Sequence, residues 1–374
     1  MLAYFILKIE AYDAEAFVAE IKRIDANGVI ILINYAGEMR VVHKPERIPL
    51  APVYRHFRKG HWSSSRWFKW FIFIGQYIRI LTTVLWREHV GIVILEGGDV
   101  ASWITECARL FGRVDRTADI IADWSYIKRG DLLNGLKIYL NDIILGVFGT
   151  PIILTTAAVY EERRKFWGGW FNKNVRLVDN YWARLLQMKR STAPRGKKIL
   201  FLGNLRANFA IEALFELLPR LNKEYGFRLK VVGPETEMYH HYHTLSEEMN
   251  VGAYIDWRGF VPLEKFTEEF ADCFCGVNLQ ELQENNSQYA VAGRVVNYLQ
   301  YLVVPIMSPS SGVMVQVLRD HQLGPVCEVR PDQLYAAIVD AFDHHEQYIA
   351  KIKGFLSHNP YHKPFEEIIS LAKT

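Results

Sequence analysis

Cysteine is scarce in this chain. Its 374 residues include four, Cys107, Cys273, Cys275 and Cys327, and no two form a C-x-x-C pair. That excludes a disulfide framework and reads as reduced, buried thiols in a cytoplasmic protein. Excess charge is lacking too: 44 Lys and Arg against 41 Asp and Glu leave a net charge of +3. A dedicated nucleic-acid binder needs a dense basic face, so no nucleic-acid partner is expected. There is no clean membrane span. The best stretch, 67–86, is interrupted by Lys69, Gln76 and Arg79, and a spanning helix rarely accepts two cations at that depth. The apolar N-terminus, 1–9, lacks the basic start and small-residue cleavage site of a signal peptide and reads as a first strand. Low-complexity tracts and short-period repeats are also missing.

What is present points to a large folded protein. Half the residues are hydrophobic and 13% are aromatic, which excludes general disorder. The length exceeds one comfortable core, so two domains are expected. Short, uniformly apolar runs at 3–9, 29–34, 90–95, 120–122 and 152–155 read as strands. Helical segments at 13–24, 65–87, 100–111 and 131–147 alternate with them; Phe17, Ile21 and Ile24 share one helical face. Residues 37–64 read as irregular. A polar stretch with Pro and Gly, 186–197, reads as a linker. A second series follows, with strands at 199–202, 229–232, 254–255, 276–279 and 303–307. Its helices are expected at 208–223, 236–249, 263–271, 311–319 and 331–353, and a last one at 363–372. Apolar runs without alternation, separated by helices, are the signature of parallel sheets covered on both faces. The fold class is therefore α/β.

The stretch 289–309 reads as a loop, a helix opened by Gly293-Arg294, and a buried strand. A helix start that carries an arginine and points out of a sheet is a place to hold a phosphate. Arg206, just after the strand at 199–202, is placed at the same sheet edge, and both arginines offer bidentate contacts to a diphosphate. Glu96, Asp99 and Asp123 fall at strand C-termini, where a carboxylate can orient or deprotonate a hydroxyl; Asp99 also suits a helix cap. Arg55, His56, Arg58, Lys59, His61, Arg66 and Lys69 interleave with Phe57, Trp62, Trp67, Phe68, Trp70 and Phe71. That mixture suits an anionic bilayer surface, or else a core-facing helix behind a solvated loop. The histidines of 240–243 and 344–345 lack ligand spacing and read as surface residues.

A chain of short motifs in order carries a family resemblance. Leu200-Phe201-Leu202-Gly203-Asn204-Leu205 resembles a strand-plus-glycine start, and Val231-Val232-Gly233-Pro234 a "V-G-P/E" turn. Trp257-Arg258-Gly259-Phe260-Val261 resembles an "F-x-G-x-V" step. Gly293-Arg294-Val295-Val296-Asn297-Tyr298-Leu299 with Val304-Pro305-Ile306 resembles a "K-x-x-E-Y-L-A-x-G-x-P-V" block. Gly324-Pro325-Val326 and Pro331-Asp332-Gln333-Leu334 resemble its closing segment. In this order they resemble the nucleotide-sugar domain of the GT-B glycosyltransferases, in particular retaining family 4 of bacterial polysaccharide type.

The resemblance implies two Rossmann-like, doubly wound parallel-sheet domains facing a central cleft. These are an acceptor domain at 1–185, with a crossover helix at 360–374 packing back on it, and a nucleotide-sugar domain at 195–355. It implies a glycosyltransferase that moves a sugar from a nucleotide-sugar donor to a glycan or lipid-linked acceptor with retention. No metal or other cofactor is expected, since a diphosphate leaving group can be stabilised by cations and helix starts and there is no D-x-D motif. The resemblance places the donor on Gly203, Arg206, Gly233, Arg258, Gly259, Phe260, Glu284, Gly293, Arg294, Asn297 and Tyr298, with the 258–261 turn holding the base through backbone groups. Glu96, Asp99 and Asp123 become the catalytic candidates of the acceptor domain. A cytoplasmic protein, touching the inner membrane face through 55–71, fits a lipid-linked acceptor. The chain departs from the family at two positions. Asn297 stands where the ribose-binding glutamate is expected, Tyr289 where its partner glutamate is, and Glu281 and Glu284 are nearby. These departures motivate a second reading, a non-catalytic GT-B-like binding or scaffold protein; a third is another sugar-nucleotide enzyme of the same fold, such as an epimerase.

Overall fold

The computed structural model describes residues 2–7, 22–33, 38–55, 75–76, 78–80, 82–84, 88–96, 99–121, 132–166, 173–178, 187–194, 196–207, 209–262, 265–280, 292–310, 312–359 and 363–373. Asp123, Glu284, Tyr289, most of 55–71 and most of the helices expected at 13–24 and 65–87 lie outside the described residues. For residues 2–7, Glu96 and Asp99 only the backbone is described. The chain divides into two compact units, Met1–Arg184 with His362–Thr374, and Leu185–Tyr361.

Among the described residues, the first unit is built on eight strands: β1 (Leu2–Leu7), β2 (Val29–Ile33), β3 (Glu38–His43), β4 (Val53–Arg55), β5 (Val90–Glu96), β6 (Val114–Ile121), β7 (Ile152–Leu154) and β8 (Val175–Leu177). Their order is β4-β3-β2-β1-β5-β6-β7-β8. Neighbouring residues on a strand point to opposite faces, and both faces are buried. Val29, Ile31, Val93 and Leu95 share one core with Ile48, Ile80 and Val84. Ile30, Ile94, Ala118 and Ile120 share the other with Ile368 and Ile369 of the last helix. Two-sided burial is why these strands read as unbroken apolar runs, each large side chain contributing about 1.5–3 kcal/mol.

The structure corrects the sequence reading in several places. Residues 37–64 are not irregular throughout, because they contain β3 and β4, which pair antiparallel at the sheet edge. β6 is eight residues long, not three. Its buried polar residues masked it: Asp119 accepts hydrogen bonds from Ser102 Oγ at 2.8 Å and Asn141 Nδ2 at 3.3 Å, and the Thr117 hydroxyl donates to Glu106. These partners come from helices α1 (Asp99–Leu110) and α2 (Leu132–Phe148). Helix α3 (Ala157–Phe166) and β8 were not anticipated.

The second unit alternates regularly. It runs β9 (Lys198–Leu202), α4 (Glu212–Tyr225), β10 (Arg228–Val232), α5 (Glu237–Glu248), β11 (Ile255–Gly259), α6 (Phe266–Glu269), β12 (Cys273–Asn278), α7 (Gly293–Gln300), β13 (Val304–Met307), α8 (Val313–His321), α9 (Pro331–Asp343) and α10 (His345–His358). The helix expected over 331–353 is two helices, because the backbone leaves helical geometry at His344 (φ −104°, ψ 20°). The last helix, α11 (Lys363–Lys373), belongs to the first unit. Among the described residues no helix is long and apolar enough to cross a membrane.

The sheet order is β11-β10-β9-β12-β13, with every pairing parallel. The winding reverses between β9 and β12, and in such sheets the crevice at the carboxyl ends of the strands beside that reversal is the ligand-binding place. The opposite edge is fastened by charge. Lys198 lies 3.0 Å from Asp256 and 2.8 Å from Asp272, and the buried Lys230 also reaches Asp272. Burial alone would raise the Asp272 carboxyl, but the hydrogen bonds from Lys198 and Lys230 outweigh it and hold the group below its ordinary value. A depressed folded-state value contributes stability that is present above the ordinary carboxylate range and is lost as pH falls through the folded value. Urea unfolding followed downward from pH 5 should therefore show an acid loss of stability that is shallower in Asp272→Asn. An unchanged acid limb in that variant would remove Asp272 as its source.

Candidate functional site

The carboxyl end of β9 turns at Gly203, which has φ 103°. Its N–H donates to the Val232 carbonyl at 2.7 Å, so the exits from β9 and β10 are locked side by side. A Cβ on Gly233 would collide with the Gly203 carbonyl, so this contact requires glycine at 233. The chain beyond β9 is held by Tyr242 on α5, whose hydroxyl lies 3.1 Å from the Phe209 carbonyl and 3.4 Å from that of Arg206. Arg206 is exposed at the bend this creates.

Arg294 enters the same corner from the first turn of α7. Its guanidinium carbon lies 4.5 Å from the Phe201 ring centre and 4.2 Å from that of Phe209, within cation–π range. Its Nη2 is 3.5 Å from the Asn204 carbonyl. Its Nη1 is buried with no hydrogen-bond partner. Neither Arg206 nor Arg294 pairs with a carboxylate among the described residues. Burial, with the like charge of Arg206 adding to it, pushes the Arg294 guanidinium down to about 10. Helix α7 has no side-chain cap and no acidic residue in its first turn, and the Val295 and Val296 N–H groups return to the Ala292 carbonyl. Two cations, one with a buried unused donor, therefore meet an uncapped helix start. The arrangement is chemically prepared for an anion with several oxygens.

Gly203, Arg206, Gly233, Gly293 and Arg294 thus come together around the exits of β9 and β10. Tyr298 does not join them as a ligand contact. It is fully buried, its hydroxyl accepts the Leu202 N–H at 3.1 Å, and its proton faces the Val277 and Leu200 carbonyls at 3.1 and 3.3 Å. The hydroxyl accepts and donates inside the sheet, so Tyr298 positions β9 against β12. Asn297 is nearly buried on the same helix.

Within the turn at 258–261, Gly259 is tied into the sheet edge. The Gly259 N–H donates to Tyr239 Oη at 3.2 Å and its carbonyl accepts the Gly233 N–H at 2.9 Å, so its backbone is not free to read a base. The Arg258 guanidinium is paired with Glu269 at 3.0 Å. Phe260 is 73% exposed in that turn. Glu96 is the last residue of β5, opposite Ile6 of β1, at the reversal of the first sheet, and Asp99 opens α1. Glu284 and Asp123 lie outside the described residues. His240, His241, His243 and His344 are exposed.

Two parts of the site leave no distinctive signal in the sequence. Phe201 and Phe209, which seat Arg294, are indistinguishable in sequence from core aromatics. The Asn204 carbonyl leaves no trace in residue type at all.

No protein-family model matches the sequence, and neither does any curated protein. Solved structures do match it over full length. The lipopolysaccharide outer core galactosyltransferase WaaB, in its apo form, aligns with a TM-score of 0.59 at 12% identity, covering 99% of both chains. An Escherichia coli trehalose-6-phosphate protein bound with UDP-2-fluoro glucose gives 0.62 at 12%, covering 100% of this chain and 99% of that one. The UDP-GlcNAc 2-epimerase of Methanocaldococcus jannaschii gives 0.57 at 12%, covering 92% and 93%. At such identities the likeness establishes the fold: this chain has the two-unit, Rossmann-like architecture of the GT-B proteins.

Proposed function

We propose that the protein is a glycosyltransferase that takes a sugar from a nucleotide-sugar donor, with the donor's diphosphate held by Arg206, Arg294 and the start of α7. The observation that carries this reading is Arg294: a buried guanidinium nitrogen without a partner, beside a second cation, at the carboxyl edge of a doubly wound sheet. An oxyanion arriving there receives hydrogen bonds that need no rearrangement, and stabilisation of a departing diphosphate is the main demand of the reaction. The likeness to structures described as a galactosyltransferase and as bound with a UDP-sugar analogue supports the reading.

The finer proposals rest on the motif order. They are a retaining outcome of family-4 type, no metal requirement, and a glycan or lipid-linked acceptor reached from a cytoplasmic position. Glu96, Asp99 or Asp123 would act on the acceptor hydroxyl. Membrane contact through 55–71 is tested by pelleting with anionic vesicles, which should weaken when the cations of 55–69 are removed.

The likeness to an epimerase favours one alternative, inversion at the sugar without transfer. Incubation with UDP-, GDP-, ADP- and CDP-sugars separates the two. Release of a nucleoside diphosphate with a transferred or hydrolysed sugar supports the transferase. An epimeric sugar without transfer supports the alternative. Turnover of none of these donors would count against both.

A further inference from the structure

We infer that Glu235, at the exit of β10, is the residue that recognises the donor's ribose. The inference rests on the donor-site reading above and extends it to a residue outside the motif positions.

Glu235 follows Gly233-Pro234 at the exit of β10. Its carboxylate lies against the end of β11, because a Cβ on Gly259 would come within 2.5 Å of Glu235 Oε1. Gly259 also has φ 65°, a backbone conformation that favours glycine. Glycine at this position thus leaves room for the carboxylate. Among the described residues the Glu235 carboxylate has no ion pair and no hydrogen bond, and it is exposed. Around it, other polar groups are already committed: Tyr239 Oη to the Gly259 N–H, and Thr236 Oγ1 to Asn204 Oδ1 at 3.4 Å.

Strand order fixes what such a carboxylate meets. Along the carboxyl edge the sequence is β11, β10, β9, β12, at about 4.8 Å per strand. The exposed ring of Phe260 follows β11, and the Arg294 corner lies at β9. Glu235 stands between them, at the end of β10. In a nucleoside diphosphate the ribose stands between base and diphosphate. A nucleotide with its diphosphate on Arg294 and its base toward Phe260 therefore carries its 2′- and 3′-hydroxyls past Glu235. The 2′-hydroxyl is the donor that this carboxylate takes, an ionised carboxylate being an acceptor-only group.

The test compares UDP, GDP, ADP and CDP with their 2′-deoxy counterparts by titration calorimetry on the wild-type protein and on Glu235→Ala. For the nucleotide that binds best, wild type should prefer the ribose form by about tenfold, as expected for one charge-assisted hydrogen bond. In Glu235→Ala the ribose form should weaken to the level of the deoxy form, with the deoxy affinity unchanged. That constant deoxy affinity is what a merely structural role would not preserve. A wild-type ribose preference retained in Glu235→Ala overturns the assignment while leaving the diphosphate site standing, and so does the absence of any preference in wild type. Binding of no nucleotide at all overturns the donor-site reading itself.

Discussion

Arg294→Met lowers affinity for the donor's nucleoside diphosphate by about 100-fold and leaves the folded protein as stable as wild type or more so. The two halves of this expectation come from one fact, that folding buries an Arg294 nitrogen without giving it a partner. Hydrogen bonds to charged groups contribute about 1.5–3 kcal/mol each, and a group of this kind aimed at a developing oxyanion changes turnover by roughly 10²–10³. Removing an uncompensated buried charge, by contrast, relieves a desolvation cost. Methionine can also pack between the Phe201 and Phe209 rings. Arg294→Lys keeps the charge but loses the planar fork and its stacking on those rings, so it should fall between wild type and Arg294→Met. Titration calorimetry and thermal melting measure the two effects separately. Loss of binding together with a large loss of stability would mean that Arg294 is a structural residue.

Tyr298→Ala destabilises the second unit by about 3–5 kcal/mol, the range for removing a large buried aromatic ring. The ring lies so close to Gly276 that a Cβ there would approach it to 2.6 Å. Its hydroxyl takes over where the β9–β12 ladder ends, since the recorded pairing stops at Leu200 opposite Gly276 and Leu202 N–H goes to Tyr298 Oη instead. Tyr298→Phe isolates that role and should cost roughly 1–3 kcal/mol in urea unfolding, the price of leaving a buried donor unsatisfied. Nucleotide affinity in Tyr298→Phe should change far less than in Arg294→Met. The opposite pattern, unchanged stability with a hundredfold loss of binding, would place the hydroxyl on the ligand after all.

The contrast between these neighbours on one short helix shows what a sequence discloses. The glycine and arginine that open α7, the strand before it and the glycine turns after β9 and β10 were legible, because backbone demands and charge leave their mark in residue type. For Tyr298, motif position alone does not say which way the side chain goes; its hydroxyl is engaged with Leu202, Leu200 and Val277. Uniform apolar runs revealed the central strands of both sheets for the same physical reason, burial on two faces. β3 and β4 at an edge, and β6 with Thr117 and Asp119 satisfied by helix side chains, broke that pattern. Glu235 directly follows the Gly233-Pro234 turn, and only the approach of its carboxylate to Gly259 marks it out.

We propose the α7 corner of the second unit as the diphosphate site. The most direct measurement is a crystal structure of the protein with the nucleoside diphosphate that it binds best. Phosphate oxygens are expected within hydrogen-bond distance of Arg294 Nη1 and of the Gly293 and Arg294 amides, with Arg206 closing on the same group. A diphosphate bound away from the exits of β9 and β10, with Arg294 Nη1 still unpartnered, would contradict it.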